Sequence, residues 1–224
     1  MQRIPEPEVM DDPAQAIAYA QADFDEVNAS FIRDTLAQLP DPDAIRQVLD
    51  LGCGPGDIPI RLANALPEAF ITGIDASSPM VALGQERIDD TPLARRVQLE
   101  VARLPLERRE TRWDLVLSNS LLHHLPEGAI LWDEIHRQCV GRGHATQVRV
   151  MDLRRPDSRE AAQAIVDTYS PDEPEILRRD FFNSLLAAFT PEEVEAQLES
   201  AGLGHLEVTT PSDRHLLVTG VIGR

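Results

Sequence analysis

Lysine is absent from this 224-residue chain, so its 21 basic side chains are all arginine. They stand against 38 aspartates and glutamates, for a formal net charge of −17. A field of that sign opposes binding to a polyanion such as DNA or tRNA and favours a small substrate, although a local arginine patch can outweigh it. Cysteine is scarce as well. Cys53 and Cys139 are the only two, with no metal or redox spacing between them, which fits a reducing, cytoplasmic setting. No apolar run approaches the about 18 residues of a membrane span, and the N-terminus has no signal-peptide core. A membrane partner is therefore not expected. Internal repeats and low-complexity tracts are missing too, and nothing in the sequence specifies an oligomeric state. The length suits one good core, so residues 1–224 are expected to form a single domain with elaborations.

What is present is organised around Val48-Leu-Asp-Leu-Gly-Cys-Gly-Pro-Gly-Asp57. Apolar positions run into a cluster with Gly52, Gly54 and Gly56, and a helical stripe follows at Ile58, Leu62 and Leu66. The pattern predicts a buried parallel strand, a tight turn and a helix whose N-terminus opens onto the turn. Such turns let a ligand approach the backbone, and the helix N-terminus adds free N–H groups and partial positive charge. In open α/β sheets they hold nucleotide-like ligands.

Dinucleotide enzymes show Gly-x-Gly-x-x-Gly, whereas here Gly52-x-Gly54-x-Gly56 is preceded by Asp50. The phrase closely resembles the first motif of the class I S-adenosylmethionine (SAM)-dependent methyltransferases. In that family the acid and the glycines surround the amino-acid end of SAM, which implies cofactor-binding roles for Asp50, Gly52, Cys53, Gly54 and Gly56. A second strand, Ala69 to Asp75, ends in a carboxylate 25 residues beyond Asp50, about where these folds place an acid on a ribose. Asp75 and the adjoining Ala76 join the candidate site. Ser78-Pro79 then predicts a helix start. Arg96 to Val101 is the third strand. The family's Asp-Ala-x-x-Leu-Pro, whose acid meets the adenine amino group, puts Glu100 and Val101 at the first two positions, with glutamate in place of aspartate. The fourth strand, Trp113 to Ser118, leads into Asn119-Ser-Leu-Leu-His-His-Leu125. This segment resembles the family's fourth motif, whose polar residues line the cofactor, and so implies Asn119 and Ser120.

The flanks complete the layout. Residues 1–12 are polar and expected to fray. From Pro13 a stripe at Ile17, Ala20, Phe24, Val27 and Phe31 predicts a helical cap over 13–40. Tyr19 and Asp23 lie on another face of it, and Tyr19 is a candidate to contact substrate. A helix from Pro126 to Gly141 and a fifth strand from His144 to Leu153 follow. Residues 154–189, with helical patterns at Ala161–Tyr169 and Ile176–Phe189, stand outside the minimal fold and are expected to form a lid. Thr190-Pro-Glu-Glu193 is a capping box, and Leu206–Thr209 with Leu216–Val221 forms a terminal hairpin. Trp113 and Trp132 are expected in the core. The sum is an α/β, doubly wound, mostly parallel seven-stranded sheet. By resemblance it is Rossmann-like with strand order 3-2-1-4-5-7-6, an N-terminal helix and a helical lid insertion.

Methyl transfer from SAM, which leaves S-adenosylhomocysteine (SAH), demands positioning more than covalent chemistry. His123 and His124 follow the fourth strand and are candidate catalytic bases, since imidazole titrates near neutral pH. The bland alternative is that the pair buttresses the next helix. A metal site is not expected, because adjacent histidines lack helical ligand spacing and no acid lies near them in the sequence. Arginines 154, 155, 178, 179 and 214 could grip an anionic acceptor or be solvated surface charges. Arg154 and Arg214 are the better placed, because they adjoin strand ends. The expected function is methylation of a small molecule. Methylation of RNA or another macromolecule, chemistry on a modified SAM such as carboxy-SAM, and a non-catalytic SAM sensor remain the alternatives.

Overall fold

The computed structural model describes residues 1–6, 17 and 24–223. Its centre is a seven-stranded sheet in the order β3-β2-β1-β4-β5-β7-β6. The strands are β1 (Gln47–Leu51), β2 (Phe70–Asp75), β3 (Val97–Val101), β4 (Leu115–Asn119), β5 (Thr146–Leu153), β6 (Glu207–Thr209) and β7 (His215–Ile222). All neighbours run parallel except β7, which is antiparallel to both β5 and β6. The expected order and class are therefore met. β1 and β4 are buried at almost every position, as expected of central strands covered on both faces, and the polar residues Asp50, Ser118 and Asn119 fall toward their carboxyl ends.

Two apolar layers sandwich the sheet. On one side α1 (Asp25–Gln38), α2 (Asp57–Ala65) and α3 (Ser78–Asp89) contribute Phe31, Ile32, Ile58, Leu62, Val81 and Ile88. On the other, α4 (Ala129–Cys139) and α7 (Pro191–Ser200) bury Leu131, Trp132, Ile135, Val194 and Leu198. Trp113 and Trp132 are both fully buried, and the Trp132 indole N–H donates to Gln197 Oε1 of α7 at 2.9 Å. None of the described helices is long and apolar enough to cross a membrane.

Residues 154–189 form α5 (Arg159–Tyr169) and α6 (Glu175–Ala187), with a small core of their own around Leu153, Ala162, Val166, Leu185 and Leu186. The chain leaves and re-enters the fold side by side: Arg155 N–H donates to Phe189 O at 3.0 Å. Arg155 is buried and bonds Ala188 O and Glu193 Oε1 at 3.1 and 2.6 Å. It is a structural cross-brace rather than a grip for an acceptor. Glu193 also closes the capping box with Thr190 that starts α7.

Two expectations change. Residues 1–6 are docked, not frayed, while 7–12 lie outside the described residues: Arg3 donates to the carbonyls of Pro126, His123 and Leu125 at 2.7–3.0 Å, and Ile4 N–H donates to Leu186 O at 3.0 Å. A guanidinium fork can satisfy several turn carbonyls at once, which a polar-composition reading does not register. The α3 cap is Ser77, one residue earlier than expected, accepting from Met80 N. Of the 13–40 cap, Ile17 is helical and α1 begins at Asp25, with Phe24 as a non-helical N-cap. Tyr19 and Asp23 lie outside the described residues.

Gly84 shows how tightly α3 meets the first turn. A Cβ there would stand 2.5 Å from Leu99 Cδ1 and 3.0 Å from the Pro55 backbone carbon. Gly84→Ala improves helix propensity by about 1 kcal/mol, yet overpacking typically costs about 1–3 kcal/mol. The variant is expected to be less stable than wild type in urea unfolding; a gain in stability would show that the contact relaxes freely.

Candidate cofactor and acceptor site

β1 ends at Leu51, and the chain then turns sharply. Gly52 and Cys53 both donate N–H bonds to Ile74 O, at 2.8 and 3.0 Å, which lashes the turn to the end of β2. Gly54 N–H donates to Asp75 Oδ2 and Ser77 N–H to Asp75 Oδ1, each at 2.8 Å. Asp75 thus shapes the turn as well as ending the strand. Gly54 has φ +50°, and a Cβ added there would meet nothing within 4 Å, so this backbone borders open space. At Gly52, φ +79°, a Cβ would stand 2.8 Å from Leu121 Cβ; glycine lets the β4 loop close in. Gly56 packs inward, toward Leu99 and Gly84, and Cys53 is buried, so any contact it makes with a ligand is through its backbone.

Asp50 is the anomaly. It is 1% exposed in the middle of the sheet, and neither carboxylate oxygen has a hydrogen-bond partner. Burial, reinforced by the nearby Asp75 charge, pushes its pKa well above the ordinary carboxylate value. A buried carboxylate without partners is costly, so it persists only where something else requires it. Asn119, at the end of β4, presents a second orphan: its Oδ1 is buried without a partner, while its Nδ2 donates to Asn28 Oδ1 at 3.3 Å. Asn28 in turn donates to Asp57 Oδ2 at 2.9 Å, and Asp57 pairs with Arg61 at 2.6 Å. That chain fastens α1 across the mouth of the first turn. Ser120, next to Asn119, is a non-glycine residue with left-handed backbone, φ +59°; such strain concentrates at functional sites.

At the outer edge Val101 pairs in register with Asp75 and is 53% exposed, and Ala76 is half-buried in the β2–α3 turn. Glu100 is gripped bidentately by Arg109, at 3.1 and 2.6 Å, a partner that the sequence pattern does not reveal.

The histidines lie on the other flank. His123 is buried, with Nδ1–H donating to Asp152 Oδ1 at 2.6 Å and Nε2 3.6 Å from Glu6 Oε1. Burial opposes its charged form, but the Asp152 carboxylate and its hydrogen bond outweigh that, so its pKa lies above the ordinary value. His124 Nδ1 stands 3.3 Å from the same Glu6 oxygen. Asp152 also accepts Leu122 N–H at 2.6 Å. Both rings therefore face the docked N-terminal segment. Arg154 and Arg214 adjoin each other at the tips of β5 and the hairpin: Arg154 N–H donates to Arg214 O at 2.9 Å, and the Arg214 guanidinium stacks 3.4 Å above the Tyr169 ring. His215 beside them is pushed down to about 4 by burial and by Arg214.

Sequence reasoning missed Glu6, Asn28 and Asp152. Asp152 was signalled, as an acid ending a strand on the ligand side; Glu6 and Asn28 act across 117 and 91 positions, and no local pattern marks them.

Residues 48–143 match the family described as a methyltransferase domain. Trans-aconitate 2-methyltransferase of Variovorax paradoxus (strain S110) is 34% identical over 130 residues, 57% of this chain and 45% of the relative. The enzyme of the same name from Mycobacterium ulcerans (strain Agy99) is 40% identical over 87 residues, 38% of this chain and 30% of the relative. The match thus spans less than half the length of these relatives. The plantazolicin methyltransferase BpumL, solved with a triazolic desmethylPZN analogue and SAH, shares the fold at TM-score 0.71 and 13% identity, over 95% of this chain and 90% of that one.

Asp50 predicts a conflict between stability and binding. A raised folded-state pKa stabilises fully below the unfolded value and is lost as pH rises through the folded one, so ligand-free protein carries the penalty at neutral pH. Asp50→Asn is expected to raise Tm at pH 7 by at least the about 2–4 °C that 1 kcal/mol represents at this size. The gain should shrink as pH falls toward 4. A lower Tm at pH 7 would mean that the charge is already compensated.

Proposed function

We propose, from its similarity to methyltransferase domains over residues 48–143 and from the shared fold, that this chain is a class I SAM-dependent methyltransferase that transfers a methyl group from SAM to a small carboxylate-bearing acceptor. The observation that carries the cofactor assignment is Asp50: a buried, unpartnered carboxylate behind a glycine turn whose Gly54 wall is open. The donor set fits SAM. Asp50 and Asn119 Oδ1 are acceptors for its ammonium group, and the turn's backbone lies along its amino-acid end. Asp75 takes the ribose hydroxyls; a carboxylate accepts at about four positions, more than its two backbone donors use. Val101 and Ala76 flank the adenine, with Glu100, held by Arg109, toward its amino edge.

SAM supplies an electrophilic methyl on a sulfonium, and the protein's part is to set an acceptor in line at about 3–3.5 Å. Arg154 and Arg214 hold the acceptor's carboxylates. Stacking on Tyr169 orients Arg214, and guanidinium matches a carboxylate in two-point geometry. A carboxylate, with an ordinary pKa near about 4, reaches the site already deprotonated, so no general base is required. That agrees with His123 and His124, whose ring nitrogens face Asp152 and Glu6; they hold the β4 loop in place. The insertion 154–189 and α1 roof the site, which favours a small acceptor over RNA, and two free buried cysteines suit a cytoplasmic setting. The trans-aconitate enzymes among the relatives point to the same class of acceptor.

The test is SAH formation from SAM with a panel of di- and tricarboxylic acids beside an RNA panel. Turnover on at least one acid is expected; turnover confined to RNA overturns the acceptor class. SAH should raise Tm by mass action. Asp75→Ala should weaken SAH by about 10–100-fold, given that hydrogen bonds to charged groups contribute about 1.5–3 kcal/mol each. Arg214→Ala should raise KM for the acid about tenfold or more while SAH affinity stays within a factor of two or three. Equal losses for SAH and acid would remove Arg214 from the acceptor pocket.

A further inference from the structure

Glu6, His123 and His124 come from segments 117 residues apart, yet one ligating atom of each lies within 4.8 Å of the others. We propose that these three residues bind a zinc-class divalent cation, which clamps the N-terminal segment onto the loop after β4. The inference does not rest on the methyltransferase reading.

The spacing suits it. Zinc bonds of about 2.0–2.2 Å in a tetrahedral shell put neighbouring ligand atoms about 3.3–3.6 Å apart. Glu6 Oε1 stands 3.3 Å from His124 Nδ1 and 3.6 Å from His123 Nε2. The two imidazole rings lie 4.1 Å apart with their planes tilted by 36°, so binding requires the rings to turn toward the common point. The donor set, two imidazoles and one carboxylate, selects zinc and its transition-metal neighbours over magnesium or calcium, which prefer all-oxygen shells.

The surroundings are those of a supported ligand. Asp152 receives the His123 Nδ1–H at 2.6 Å, which fixes the tautomer with its lone pair on Nε2, toward Glu6. Carboxylate, imidazole and metal in line is the recurrent way of orienting a ligating histidine. Asp152 is itself held by Leu122 N–H, and Ser184 Oγ of α6 donates to Glu6 Oε1 at 3.0 Å. Burial drives the Glu6 carboxyl above its ordinary value, and a dication would reverse that. The sequence expectation of no metal rested on the lack of an acid near the histidines; Glu6 supplies one from the far end of the chain. Three ligands leave a fourth position for water.

The competing arrangement is a proton in the metal's place, with Glu6 and Asp152 pairing a charged His123. To separate the two, chelator-treated protein is titrated calorimetrically with zinc chloride and, separately, magnesium chloride. One zinc per chain and no magnesium binding are expected. Glu6→Gln and His124→Gln should each weaken zinc at least tenfold, and Asp152→Asn by about 10–100-fold, as for supporting carboxylates elsewhere. Cobalt(II) gives a readout on wild type alone, an intense visible absorption of tetrahedral type. No zinc binding by wild type overturns the proposal, as does a weak octahedral cobalt spectrum, and so does unchanged affinity in folded Glu6→Gln and His124→Gln.

Discussion

A parallel sheet wound outward in both directions from its centre leaves a crevice where the two windings part. Here they part between β1 and β4, which are hydrogen-bonded neighbours whose connections run to opposite sides. No helix can close over both carboxyl ends, so the backbone groups of two loops remain to be satisfied there. Much of the remaining structure answers that constraint. The Ile74 carbonyl takes two N–H groups of the first turn, Asp75 takes two more, and Met151 O receives Ser120 N–H. Among the buried polar groups that the described residues leave without a hydrogen-bond partner, the Asp50 carboxylate and Asn119 Oδ1 lie on the two strands that border this crevice.

The second constraint is charge. With a formal net charge of −17, arginine is used where the chain must be stitched rather than spread evenly for solubility. Arg3 ties the N-terminus to the turn after β4 and lies 3.8 Å over the Phe189 ring. Arg155 braces the root of the insertion, and Arg96 donates to the carbonyls of Leu66, Ala69 and Ala63. A planar fork with five donors can replace several backbone bonds at once, which a lysine ammonium does with less geometric control.

Much of this was legible from residues alone. The run Val48 to Asp57 announces strand, turn and helix through its own apolar spacing and glycines, and Thr190 to Glu193 announces a helix start through two reciprocal bonds. Asp75 was readable as a strand-end acid because the topology sends the carboxyl ends of the parallel strands to one side. Contacts that join distant segments were not: Glu6 to the histidines, Asn28 to Asn119, Glu100 to Arg109 and Arg155 to Glu193. In each the partner is chosen by tertiary packing, and neither residue carries a local signature of it. Arg155 illustrates the limit. Beside Arg154 it reads as a twin surface charge, but the chain's re-entry at Phe189 buries one and leaves the other at the hairpin tip.

Glu193 serves two elements at once, as the reciprocal partner of Thr190 at the start of α7 and as the counter-ion of Arg155 beneath α5 and α6. The roots of the insertion are thus welded to the first turn of a core helix. Displacing α5 and α6 as a unit by moving their roots would require unwinding that turn. The place where the insertion joins the fold is consequently set by the sheet and by α7 together.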